Sequence, residues 1–392
     1  MWKSLFKCSK NQEYSYAIFE SITNIPTKEW DAINTKNNIY LSSSFLKAFE
    51  KGMHEKTNFR YVLFYNSQQE AIGISYLQII SFKPNEFLQN KIPCTVADKV
   101  KKYFFEDKKL NVLLCGNLFA CGENGFAHTE AIEKPLFLEL IHHAMAAISS
   151  KEPKKISFHL FKEFWETSTS VSDHLKKQSF KGFYIDVNMV VPIKNTWTCC
   201  DDYLGDMNTK YRTRAKKVYK TSKNLRKENF SVADIQKYLP EIQRMYTDVL
   251  KKADYNLGTL NVATFVHLKE ELQDKFIMSG YFSEDQFIGF SSAFAFNGTI
   301  DANFVGIDYE YNKEYKLYQR MLFDFVELAI DRKTYELRLG RTAETIKSVV
   351  GAKPVSMKLY AKHRNSISTS LLGLVLSSIN PSRYEIRNPF KN

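Results

Sequence analysis

One order of elements is written twice along this chain, and no other feature limits its fold as much. In the first copy serines 42–44 precede an apolar pattern at Phe45, Leu46 and Phe49, the signature of a capped helix. A strand-like run at 61–65, a polar turn at 66–70 and a second run over 71–78 then predict a hairpin. The second copy has a helical pattern over 262–272, a strand at 278–282, a turn at 283–286 and a strand over 287–295. Each second strand opens on an Ile-Gly step, Ile72-Gly73 and Ile288-Gly289.

The match continues past the hairpins. A strand ending in glycine (112–116 and 303–306) leads to a long helix (136–148 and 317–330) with apolar residues every three to four positions, the spacing of a helix lying on a sheet. A basic linker and another strand follow (156–160 and 335–339). Then Gly182 or Gly351 precedes a closing strand (187–191 and 356–360). The pattern predicts an α/β (mixed α+β) chain with an N-terminal domain over 1–195, a C-terminal domain over 196–365 and a tail over 366–392. The tail, with Pro381 and Pro389, is expected to pack loosely; its Leu371, Leu372, Leu374, Val375 and Leu376 suit docking on the protein itself or on a membrane surface.

At 392 residues and 44% hydrophobic, the chain can bury a core in each domain. No apolar run reaches the roughly 18 residues of a membrane span. Lysines interrupt the apolar residues at the N-terminus, so no signal-peptide core forms and a cytoplasmic location is expected. Six scattered cysteines fit reduced thiols better than a disulfide framework. Cys115, Cys121 and His128 match no zinc spacing, and no metal site is expected. His142 and His143 point about 100° apart on a helix, so one should pack and the other face solvent.

Charge is concentrated in one place. The net charge is +12, and residues 210–227 hold nine cations in eighteen positions without a carboxylate: Lys210, Arg212, Arg214, Lys216, Lys217, Lys220, Lys223, Arg226 and Lys227. A merely solvated helix would interleave acids for pairing one turn apart. The run therefore predicts a face for a polyanion, with tRNA, an acidic carrier protein or a phosphorylated lipid precursor as candidates.

Two segments carry a family likeness. Residues 337–354, Leu-Arg-Leu-Gly-Arg-Thr-Ala-Glu-Thr-Ile-Lys-Ser-Val-Val-Gly-Ala-Lys-Pro, resemble the late part of the second GNAT domain in Fem-type peptidyltransferases and related acyltransferases. The basic stretch 203–217 is similar to the helix that opens that domain. With the repeated order of elements, the resemblance covers most of 40–363. It implies two tandem GNAT-like domains with a cleft between them, and an N-acyltransferase with no resident cofactor. Its donor would be a thioester, acyl-CoA or acyl-carrier protein, and its acceptor a small amine or a cell-wall or lipid precursor. The alternatives are an aminoacyl-tRNA-dependent ligase acting on a cell-wall precursor, or a non-catalytic binding scaffold. Coenzyme-A-binding GNAT domains usually place a glycine-rich loop after their fourth strand. Here residues 307–316 contain no glycine, which favours the tRNA donor. In the first copy, residues 115–125 do carry three glycines, suited equally to turns and to an anion.

The same resemblance places the donor beside residues 303–308. Gly306 would let a backbone N–H approach the reacting carbonyl. Asp308 is the nearest carboxylate for the amine's proton, and equally a turn or helix cap. Arg341 is assigned to substrate binding and Lys347 to charge stabilisation, with Lys313, Lys316 and Tyr318 as donor contacts. A helix starting near Thr342 would set Glu344 and Lys347 one turn apart; as a surface pair they would contribute only a few tenths of a kcal/mol. With Lys347 in that charge-stabilising role, Lys347→Met is expected to lower turnover at least about tenfold and to leave the melting temperature nearly unchanged.

Overall fold

Glycines on two strands show how the repeat folds. A computed structural model describes residues 2–7, 13–82, 109–252, 258–365, 369 and 384–391. The chain forms two units, the first of residues 1–186, 255–260 and 356–381, the second of 187–254, 261–355 and 382–392. The first unit contains β1 (Trp2–Lys7), β2 (Glu13–Phe19), α1 (Thr27–Ile33), α2 (Ser43–Met53), β3 (Asn58–Tyr65), β4 (Ala71–Phe82), β5 (Leu110–Cys115), β6 (Phe126–His128), α3 (Lys134–Lys151) and β7 (Phe158–Trp165). Ser42 caps α2 as predicted, its hydroxyl accepting from Phe45 N at 3.3 Å. Strands β1 to β5 lie side by side and antiparallel, and α3 carries the chain from β5 to the parallel β7.

Helix α3 buries Phe137, Leu138, Leu140, Ile141, Ala144, Met145 and Ile148 on this sheet. A Cβ at Gly73 would lie 2.3 Å from the Phe137 ring, so the first Ile-Gly step exists to admit that ring.

The second unit is built from the end of β8 (Lys181–Pro192), then α4 (Cys200–Asp206), α5 (Thr209–Thr221), β9 (Leu225–Asn229), α6 (Leu239–Lys252), α7 (Thr264–Leu272), β10 (Phe276–Ser283), β11 (Gln286–Phe296), β12 (Thr299–Ile307), α8 (Tyr309–Tyr315), α9 (Leu317–Asp331), β13 (Glu336–Arg338) and α10 (Glu344–Ser348), followed by the start of β14 (Lys353–His363). Its strand order is β9-β10-β11-β12-β13-β8, with β12 and β13 parallel and joined through α9. Here a Cβ at Gly289 would sit 2.9 Å from Leu317 and Met321 of α9. The second Ile-Gly step thus does for α9 what the first does for α3, and β5 and β12 hold the same place in their sheets.

The closing strands differ from the sequence expectation. Residues 187–191 were expected to finish the first copy, yet Val190, Val191 and Pro192 pair antiparallel with β13 in the second unit. Conversely, Met357 to His363 of β14 pair antiparallel with β7 in the first. Both strands satisfy the same requirement, an antiparallel neighbour beside the second parallel strand. Local pattern therefore cannot tell them apart.

His142 of α3 packs as expected, but against another histidine. Its ring centroid is 5.8 Å from that of His159 and 4.9 Å from Phe180, and Nδ1 bonds Gln178 Oε1 at 2.6 Å. His143 bonds the Tyr16 hydroxyl at 2.9 Å instead of facing open solvent. Burial, then Lys362, lowers His142 to about 4; burial, then His142 and Lys362, lowers His159 to about 3. Both pKa values are depressed on folding, so the unfolded chain binds more protons below about pH 6.5. Stability is full above that pH and is lost as pH falls toward 4 and 3, at about 1.4 kcal/mol per displaced pH unit for each ring. The melting temperature is expected to drop across this window, and a His142→Gln/His159→Asn variant to flatten the drop. An acid limb that persists unchanged in that variant would assign it to other groups.

The described cysteines, Cys115, Cys121, Cys199 and Cys200, are free thiols. Among the described residues no group of three metal-ligating side chains is present and no helix is long and apolar enough to cross a membrane. The apolar run at 371–376 lies outside the described residues.

Candidate functional site

In the second unit β12 and β13 stay together for only three residues, Thr299 to Asp301 against Glu336 to Arg338. Beyond Arg338 the chain follows β8: Leu339 N donates to Met189 O at 2.8 Å, Met189 N to Gly340 O at 3.1 Å, and Gly340 N to Asn188 Oδ1 at 3.0 Å. β12 runs on to Ile307, paired on its β11 side. A bulge at Asn303 and Phe304, where the Ser292 hydroxyl bonds both N and O of Phe304 at 3.1 Å, marks the point of divergence. The result is a notch in the sheet, where β13 no longer pairs with β12 on the side of Val305 and Ile307.

The first unit has no such notch. There β5 pairs with β7 from Val112 through Cys115, its last residue. The glycine-rich loop that follows is packed down: the Lys162 ammonium donates to Ala120 O, Glu163 Oε2 accepts from Gly122 N at 3.0 Å, and Glu123 Oε1 accepts from Trp165 N at 3.1 Å. Its glycines serve turns and close packing, since a Cβ at Gly122 would lie 2.2 Å from the Trp165 ring.

At the notch, alternate amides of β12 face different ways. Asp308 N donates to Ile288 O at 2.9 Å, so Phe290 and Gly306 form a hydrogen-bonded pair and the Gly306 N–H points to β11. The N–H groups on the open side are those of Val305 and Ile307. Gly306 is a glycine because a Cβ would fall 2.1 Å from the Phe290 ring and 3.0 Å from Met245.

The notch's other wall is the turn after β13. Gly340, Thr342 and Ala343 all have left-handed backbone, with φ of 72°, 59° and 53°. For Thr and Ala this costs on the order of 1 kcal/mol or more each, and such strain clusters at functional turns. Lys347 follows on α10. It is 5% exposed, and its ammonium donates to Arg341 O at 2.5 Å, so it is not the surface partner of Glu344 that spacing suggested. Arg341 is half-buried in the same turn. The buried side-chain amide nitrogen of Asn188 has no hydrogen-bond partner among the described residues. Spacing gave no sign of Asn188, because its strand joins the turn only in three dimensions.

Asp308 is largely committed. Its Oδ1 accepts from Glu310 N at 3.2 Å, capping α8, and its Oδ2 accepts from Arg244 at 2.8 Å. Lys313 is exposed on α8, and Lys316 takes a left-handed backbone, φ 52°, between α8 and α9. Tyr318 N donates to Asn312 Oδ1 at 3.0 Å, so a side chain from α8 already occupies the first turn of α9. Burial, then Tyr309 and Glu344, raises the Tyr318 phenol. Val305, Tyr318 and Ile346 pack on one core, which ties β12, α9 and α10 together.

The basic helix α5 turns Ala215 and Val218 inward and leaves Lys210, Arg214, Lys216, Lys217 and Lys220 exposed, with Lys223 just beyond it. None of these pairs with a carboxylate among the described residues. At its end, Arg320 of α9 donates to Ser222 Oγ at 3.1 Å and to buried Asp324 at 2.7 Å, with Tyr281 donating to the same carboxylate at 2.9 Å.

The fold is that of tandem GNAT proteins. The chain is similar to FemX (11% identity, 92% of this chain and 100% of that one, TM-score 0.55) and to a tandem GNAT protein from the clavulanic acid biosynthesis pathway (8%, 90% and 99%, 0.51). It is also similar to L-PGS from Bacillus licheniformis (10%, 90% and 97%, 0.50). No protein-family model matches the sequence, and no curated protein sequence matches it.

Proposed function

We propose that the chain is a transferase that moves an acyl or aminoacyl group from a polyanionic carrier to an amine, with the reaction at the notch between β12 and β13. The observation that carries this reading is the divergence of those strands beside a strained turn holding a buried lysine. An amine attacking an ester or thioester carbonyl forms a C–N bond and an oxyanion, and then the carrier's oxygen or sulfur leaves with a proton. The open-edge N–H groups of Val305 and Ile307 and the Lys347 ammonium supply fixed donors for that oxyanion. Arg341 binds substrate, and Lys313, Lys316 and Tyr318 contact the donor. Asp308 anchors α8 in this scheme instead of acting as a base.

Between the donor classes, aminoacyl-tRNA fits better. Asn312 fills the first turn of α9, where a coenzyme A pyrophosphate would need free amides. The unpaired cations of α5 and the likeness to FemX add to this. A coenzyme A thioester is the second reading, favoured by the fold shared with the tandem GNAT protein of the clavulanic acid pathway.

The test is direct. Purified protein is expected to carry RNA, seen as a 260/280 nm absorbance ratio that falls after a high-salt wash. Lys216→Gln/Lys217→Gln/Lys220→Gln is expected to weaken tRNA binding at least tenfold at about 0.1 M salt and to reduce the salt slope by two to three units. Unchanged binding at low salt would remove α5 from the interface.

A further inference from the structure

Helix α10 is too short to hold itself. Helices of fewer than about 12 residues are marginal in water, and this five-residue one starts from the left-handed Thr342 and Ala343. Much of its support comes from residues some 40 positions further along the chain. Glu385 N donates to Thr345 Oγ1 at 3.2 Å and Arg387 N to Ser348 Oγ at 2.9 Å, one on each side of Lys347. Phe390 then seats against Gly351, where a Cβ would lie 2.4 Å from its ring and where φ is 93°. Its ring centroid lies 5.4 Å from Trp197 and 5.9 Å from Tyr203, whose hydroxyl donates to Val350 O at 3.0 Å. The segment's end is tied to the junction of α4 and α5. Asn208 N donates to Pro389 O at 2.8 Å, Asn208 Nδ2 to Phe390 O at 2.9 Å, and Lys391 N to Asp206 O at 3.1 Å.

We propose that residues 384–391 form a positioning strap for Lys347, gripping α10 at Thr345 and Ser348 and the turn after it at Gly351, and anchoring it to the foot of the basic helix. The order of the lysine turn then depends on the C-terminal segment. The same anchor at Asn208 adjoins the first residue of α5, so the strap links the cationic helix to the lysine turn within one unit. The conformational claim stands without the transferase reading; only its consequence for turnover rests on that reading.

Amide hydrogen exchange on the whole chain tests the strap without any substrate. In Phe390→Ala, and in a chain ended after Arg383, exchange across 341–352 is expected to quicken at least tenfold while 286–307, the hairpin and notch strand, keeps wild-type rates. Phe390→Tyr, which keeps the ring, is expected to restore protection. Wild-type exchange at 341–352 in both altered chains overturns the strap. An equal loss over 286–307 also overturns it, because Phe390 would then be an ordinary core residue. Should the shortened chain fail to fold, Asn208→Ala decides: it removes one anchor, and a several-fold increase confined to 341–352 is expected, with no local increase counting against the proposal. Loss of turnover in Lys347→Met tests the transferase reading by itself, so failure of either idea is seen separately.

Discussion

Replacing Lys347 by Met is expected to lower turnover at least tenfold, about 1.4 kcal/mol of transition-state stabilisation, once a donor and acceptor pair is in hand. Stability should fall as well. Read as an exposed partner of Glu344, the lysine could be lost without a change in melting temperature; for a 5% exposed residue whose ammonium bonds Arg341 O, replacement removes a buried charge-assisted hydrogen bond. A loss of about 1–3 kcal/mol is expected on that account. Urea unfolding reads the second effect, and steady-state rates at saturating substrate read the first. A Lys347→Met protein that is destabilised but fully active would make the lysine a clamp on its turn and would move the chemistry elsewhere.

Arg320→Met carries the largest expected cost to stability, about 3–5 kcal/mol. Asp324 is 2% exposed inside the second unit, and Arg320 Nε meets its Oδ1 at 2.7 Å. Without the guanidinium the carboxylate keeps only the Tyr281 hydroxyl at 2.9 Å and the Lys227 ammonium at 3.7 Å among the described residues. A buried charge stripped of its main partner is the costly case, whereas replacing both partners by apolar groups is often close to neutral. Arg320→Met/Asp324→Leu is therefore expected to recover most of the loss. A single-variant loss under about 1 kcal/mol in the urea midpoint would mean that water reaches the carboxylate and that the cluster is not a structural tie between α9, β10 and the end of α5.

Much of this molecule is legible in its sequence. The paired Ile-Gly steps, the two long helices and the equivalent strands at 112–116 and 303–306 are local patterns, and burial on a sheet imposes the same periods wherever it occurs. Gly73 and Gly289 turned out to make room for a helix in each unit. The cationic run 210–227 was equally readable, because its missing carboxylates are a fact of composition.

Assignment of the closing strands could not be read in this way. An antiparallel edge partner is specified by register with a distant strand, and residues 187–191 and 356–360 carry interchangeable patterns, so their exchange between units is a tertiary decision. The same holds for the notch. Sequence named Gly306, Asp308, Arg341 and Lys347 as neighbours of the chemistry. It had no means of knowing that Gly306 turns its amide to β11, that Arg244 holds Asp308, that Asn188 enters from β8, or that residues 384–391 return to grip the lysine helix. Sequence by itself determined the parts and their order, since helix and strand periods, glycine positions and charge density act over a few residues. Tertiary structure alone decided which strand completes which sheet, where one sheet opens and the other stays shut, and which buried polar groups face each other, because those outcomes depend on contacts between residues far apart in the chain.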